Sequence, residues 1–181
     1  MEVKMTPLNG MDVAGKRVLL RLDINSPIDP QTKRIVNDNR IKKSLPTLCY
    51  LLDGGAKVAI IAHQGDTLDY QNLIPLKEHA EKLTILSGRE VKYIDDVCGP
   101  AACEAVNALR EGECILLGNL RYLCEEISGF EKEVKLQPCE MLDTWLVRTL
   151  APLFDLYVND AFSAAHRNLS LIHISEPTRP Y

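Results

Sequence analysis

Five short apolar runs in this chain each end in a polar tip, and they constrain its fold more than any other feature. They are RVLLRLDIN (17–25), KVAIIAHQGD (57–66), VKYIDD (91–96), CILLGNLR (114–121) and LYVNDAF (156–162). Continuous runs rich in Val, Ile, Leu and Tyr, too short for helices, match strands buried on both faces of a parallel sheet. In open α/β sheets, ligands bind at the carboxyl ends of the strands. The tips Asp23, Asn25, His63, Asn119, Arg121, Asn159 and Asp160 are therefore candidates for one shared site.

Helical patterns separate the runs. Residues 39–52 place Ile41, Leu45, Leu48 and Leu52 three and four apart, which predicts one apolar face. Pro46 is expected to kink or restart that helix, and Gly54-Gly55 to stop it. Further helices are expected over 75–87, 99–110 and 139–150, each with a proline at or just before its start. Segments 67–74 and 125–137 read as surface loops. The alternation predicts an α/β, Rossmann-like parallel sheet with helices on both faces, joined by right-handed crossovers. One domain over 1–170 is expected, followed by a polar, Pro-interrupted tail at 171–181 that reads as foreign sequence or as a disordered terminus.

With 181 residues and 46% hydrophobic content, the chain can bury a substantial core. A net charge of −4 argues against general binding to nucleic acid or to an anionic membrane surface. No run is long enough to span a bilayer, and the amino terminus has no apolar signal segment. The six cysteines form no CxxC pair, so they read as free thiols in a reducing cytoplasm.

The tips concentrate positive charge on an acidic domain. Arg40 opens the helix after the first run, His63 follows the second, Arg121 the fourth and Arg167 the fifth. Guanidinium groups suit bidentate binding of phosphate or carboxylate. Each residue alone has an ordinary reading: a solvated arginine, a structural histidine, or turn-forming Asp and Asn. Their gathering at one sheet edge is what points to an anion site. The chain carries no GxxxxGK[ST], GxGxxG, HExxH or GxSxG motif, and no paired Cys/His set for a metal.

These residues also carry a family likeness. RLDINSP (21–27) resembles the RVDFNVP signature of the phosphoglycerate kinases. Arg40-Ile41, HQG (63–65), GNLRY (118–122) and VNDAFSAAHR (158–167) follow in that family's order, in wording closest to its archaeal-type branch. The resemblance covers residues 1 to about 170. It implies the amino-terminal half of a two-domain enzyme, which holds 3-phosphoglycerate or 1,3-bisphosphoglycerate. Mg-ADP or Mg-ATP would be bound by a carboxyl-terminal domain lacking here, and no cofactor by this chain. It further implies that Asp23 and Asn25 bind the glycerate end and that Arg40 faces the transferring phosphoryl group. His63, Gly65, Asp66, Arg121 and Arg167 complete the implied substrate site. Asp66 stands where the family usually has arginine, a charge reversal beside that site; Ser26 replaces the usual Val, and Gly118 the common Glu. Three functions remain open on the residues: half of a kinase, a stand-alone binding module for small phosphorylated acids, or an interaction scaffold with merely polar tips.

Overall fold

A computed structural model describes residues 7–65, 72–127, 133–134 and 138–161. The five apolar runs form five strands: β1 (Arg17–Leu22), β2 (Lys57–Ala62), β3 (Val91–Tyr93), β4 (Cys114–Asn119) and β5 (Leu156–Asp160). They make one sheet in the order β3-β4-β2-β1-β5, with every pairing parallel. Chain travel runs β1 to β2 to β3 in one direction, and β3 to β4 to β5 in the other. The reversal falls between the neighbours β2 and β4, the place where doubly wound sheets open a crevice.

Helices α1 (Asn39–Asp53), α2 (Lys77–Ser87) and α3 (Pro100–Ala108) follow the first three strands. Two shorter helices, α4 (Pro138–Met141) and α5 (Trp145–Leu150), precede β5. Side chains alternate across the pleat. Val18, Leu20, Val58, Ile60 and Leu116 pack under α1 and α2, joined by Ile41, Leu48 and Leu83. Leu19, Ala59, Ile61, Ile115 and Leu117 pack under α3 and α5, joined by Val106, Leu146 and Leu150. The sheet is thus covered on both faces, as the unbroken apolar runs require.

Three expectations change. Helix α1 does not restart at Pro46 but runs through it as one element; its buried face of Ile41, Leu48, Leu51 and Leu52 offsets the hydrogen bond that proline cannot donate. The single helix expected over 139–150 is instead two. Thr144 adopts extended backbone, its hydroxyl donates to the Met141 carbonyl at 2.8 Å, and the Glu125 carboxylate accepts from the Leu146 amide at 2.7 Å. That amide lies in the first turn of α5, where no intrahelical acceptor exists, so a distant acid fixes a new helix start. The expected surface segment 125–137 is described only at 125–127 and 133–134, and its start is not at the surface: a 3-10 turn at Cys124–Glu126 buries Glu126.

Gly118 follows from close approach. A Cβ there would stand 3.0 Å from Val97 Cγ2 and 3.1 Å from the Asp96 carbonyl carbon, while its amide donates to Asp96 O at 2.9 Å. No helix among the described residues is long and apolar enough to cross a membrane.

Candidate functional site at the strand tips

Parallel pairing brings the tips to one edge. Leu22 lies opposite Asp160 and Ala62 opposite Asn119, the latter past a register irregularity between Ile60 and Ala62. Asp23, Asn25, His63, Gly65, Asn119 and Arg121 consequently gather around the β2–β4 reversal and its β1 neighbour. Arg40, at the start of α1, reaches the same edge: its Nη1 lies 2.7 Å from Asp23 Oδ1. The arginine side chain is 52% exposed, so the carboxylate orients a guanidinium that still faces solvent.

Asn25 and Gly65 form a second link. The Gly65 amide donates to Asn25 Oδ1 at 3.2 Å, leaving the Asn25 NH2 group as the donor suited to an anionic ligand. Gly65 has φ +91°, and a Cβ there would sit 2.8 Å from Asn72 O. Both facts restrict the position to glycine. His63 follows Ala62 and is half-buried.

Arg121 departs from its expected surface placement. It is only 8% exposed, its amide donates to Asn119 Oδ1 at 3.1 Å, and Nη1 donates to the Glu126 carbonyl at 2.8 Å. Glu126 in turn pairs through Oε2 with Arg21 Nη2 at 2.8 Å. Desolvation, the largest influence on Arg21, opposes its charge, but the attractions of Glu126 and Tyr157 outweigh it and raise its pKa. This pair bolts the Arg121 segment to β1. The polar character of Glu126 was visible in the sequence, but nothing local marked it as a partner of Arg21.

Asn119, grouped with the tips as a ligand candidate, is fully buried and cross-links the loops. Its Oδ1 accepts from the Gln64 amide at 3.1 Å, and its Nδ2 donates to the carbonyls of Gln64 and Ile74, each at 3.0 Å. Sequence reasoning gave no role to Gln64, Ser26 or His79, which share this buried network. Ser26 N donates to Gln64 Oε1 and Gln64 Nε2 donates to Ser26 O, both at 2.9 Å. His79 Nε2 lies 3.0 Å from Gln64 Oε1. Burial pushes His79 down to about 4, with Lys82 repulsion adding to it and the Ile24 carbonyl opposing.

At the far side, the Asn159 carboxamide accepts from the Ala161 amide at 2.9 Å. Asp160 is raised from its ordinary value by burial and by repulsion from Asp23, against a hydrogen bond from Thr47. Asp66, Arg167 and the tail at 171–181 lie outside the described residues. Burial also pushes the Cys98 thiol up to about 12, which suppresses its thiolate. Among the described residues, no three His, Cys, Asp or Glu side chains are grouped to hold a metal ion.

The arrangement offers oriented guanidinium and amide donors at one crevice, a chemistry of anion binding and charge neutralisation. The model of the phosphoglycerate kinase family matches residues 8–178. A phosphoglycerate kinase from Sulfurisphaera tokodaii is 42% identical over 167 residues, covering 92% of this chain and 39% of that protein. One from Thermococcus onnurineus is 46% identical over 156 residues, covering 85% and 35%. The crystal structure of phosphoglycerate kinase from Pyrococcus horikoshii OT3 superposes with a TM-score of 0.82 at 37% identity, covering 92% of this chain and 39% of that one. The chain therefore spans about 35–39% of the length of these archaeal relatives. Sequence motifs, sheet order and these matches agree: the chain belongs to the phosphoglycerate kinase family.

Proposed function

We propose that this chain is the substrate-holding part of a phosphoglycerate kinase, which moves a phosphoryl group between 1,3-bisphosphoglycerate and ADP. On this reading the strand-tip crevice binds 3-phosphoglycerate or 1,3-bisphosphoglycerate. Asp23 and Asn25 contact the glycerate end, His63, Gly65, Arg121 and Arg167 surround its anionic groups, and the Asp66 carboxylate beside them repels rather than holds the anion. Arg40 is the catalytic residue, facing the transferring phosphoryl group. The observation that carries the reading is the Asp23–Arg40 contact of 2.7 Å at the same edge as the Asn25–Gly65 link and Arg121.

Phosphoryl transfer depends on positioning and charge neutralisation more than on covalent participation by the protein. Asp23 fixes one edge of the Arg40 guanidinium, so the remaining N–H groups are pre-aimed at charge that builds on the phosphoryl oxygens. The family resemblance assigns Mg-ADP or Mg-ATP to the length of the enzyme outside this chain. The metal–nucleotide would neutralise phosphate charge from its own side. The chain alone is accordingly a binding domain, and cytoplasmic like other glycolytic enzymes.

Calorimetric titration of the chain with 3-phosphoglycerate tests the binding, and a coupled assay with 1,3-bisphosphoglycerate and Mg-ADP tests the transfer. Saturable binding with background turnover is expected. Absence of binding, or turnover by the pure chain, would overturn the proposal.

A further inference from the structure

The tips of β1 and β2 are spaced by a buried polar chain that ends in His79, on the helix α2 behind them. The tautomer of that histidine follows from geometry alone. The Ser26 amide can only donate and the Ser26 carbonyl can only accept, so their two bonds to Gln64 fix which end of its carboxamide is oxygen. That oxygen faces His79 Nε2 at 3.0 Å. Oxygen carries no proton here, so Nε2 must donate, and the neutral ring leaves Nδ1 bare. Nδ1 is buried without a hydrogen-bond partner.

Gln64 is held from three sides. Its main chain exchanges two bonds with the Asn119 side chain at the β4 tip, its side chain exchanges two with the Ser26 main chain beyond the β1 tip, and its oxygen accepts a hydrogen bond from His79 Nε2. The residues on either side of Gln64 are His63 and Gly65, and Gly65 donates to Asn25. Ser26 follows Asn25 directly. Moving Gln64 therefore moves members of the anion site on two strands at once.

We propose that His79 is a positioning residue: by donating to Gln64 it fixes the spacing between the β1 tip, with Asp23 and Asn25, and the β2 tip, with His63 and Gly65. It touches no ligand. The consequence for substrate rests on the reading under Proposed function; the geometry does not.

Three measurements on the full chain test this. In the wild type, nitrogen-15 imidazole spectra at neutral pH should show His79 protonated at Nε2 and bare at Nδ1; the opposite tautomer overturns the proposal. In amide exchange, His79→Leu should speed Ser26 and Gly65 by about tenfold more than Leu19 and Ile60 in the central strands, the scale of one ordinary hydrogen bond. His79→Gln, which keeps an N–H donor, should restore much of that protection. Uniform loss across the sheet, or no change, reduces His79 to a packing residue. Should the leucine variant not fold, the wild-type tautomer decides. In titration with 3-phosphoglycerate, His79→Leu should bind about tenfold more weakly, with His79→Gln between it and the wild type. Wild type without binding refutes the substrate reading and leaves the first two measurements to judge positioning. Wild-type affinity in the leucine variant overturns the positioning role.

Discussion

Acidification should weaken this fold through His79, and by a calculable amount. The ring is fully buried, and burial lowers its pKa from 6.5 to about 4. A folded-state pKa below the unfolded value means that the unfolded chain takes up the proton first. Above pH 6.5 neither state is protonated and stability is unaffected. As pH falls from 6.5 towards 4 the unfolded state gains a proton that the folded state refuses, and stability drops by about 1.4 kcal/mol per pH unit. Below the folded value the loss levels off, at about 3 kcal/mol in all. The assay is urea unfolding followed by far-ultraviolet circular dichroism, from pH 7.5 to 4, for the wild type and His79→Gln. With a denaturant slope of roughly 2 kcal/mol per molar, the wild-type midpoint should fall by about 1.5 M more than that of the variant. Other groups titrate in both proteins and cancel in the difference. Midpoints that run parallel over this range would refute a neutral, desolvated His79.

Three further outcomes are expected. Glu126→Ala leaves Arg21 buried without its carboxylate partner, so the unfolding free energy should fall by about 3–5 kcal/mol; a change near zero in denaturant titration would show that the pair contributes nothing. Arg40→Ala should weaken 3-phosphoglycerate binding by roughly ten- to a hundredfold with stability nearly unchanged, whereas Arg121→Ala should lose both affinity and stability, because only Arg121 is buried and bonded to Glu126. Paired calorimetry and thermal unfolding separate the two. Gly65→Ala places a Cβ against Asn72 O at φ +91° and should lower the melting temperature by several degrees, a cost of about 1 kcal/mol or more. An unchanged melting temperature would mean that the 63–65 turn relaxes freely.

The strands, their parallel arrangement and most helices were legible in the order of amino acids. An apolar run with a polar end reports local burial on both faces, and the helices that must cover those faces carry their own period. Arg40 stood in the sequence as one charge among several near the strand tips, and its proposed catalytic role comes from the family resemblance alone. Where each tip residue sits, and what it bonds to, comes from packing between distant segments. Asn119 and Asn25 read alike as polar tips, yet one is sealed inside and joins Gln64 across 55 residues, while the other is half-buried at the crevice. Arg21 and Glu126 meet across 105 residues, so neither neighbourhood signals the pair. The break between α4 and α5 has the same origin: a helix start is set by whichever acceptor reaches its free amides, and Glu125 lies 21 residues away. Above all, the charge state of His79 depends on the water removed around it. Desolvation is a property of the packed core, and nothing in the sequence around His79, KEHAEK, marks it as buried.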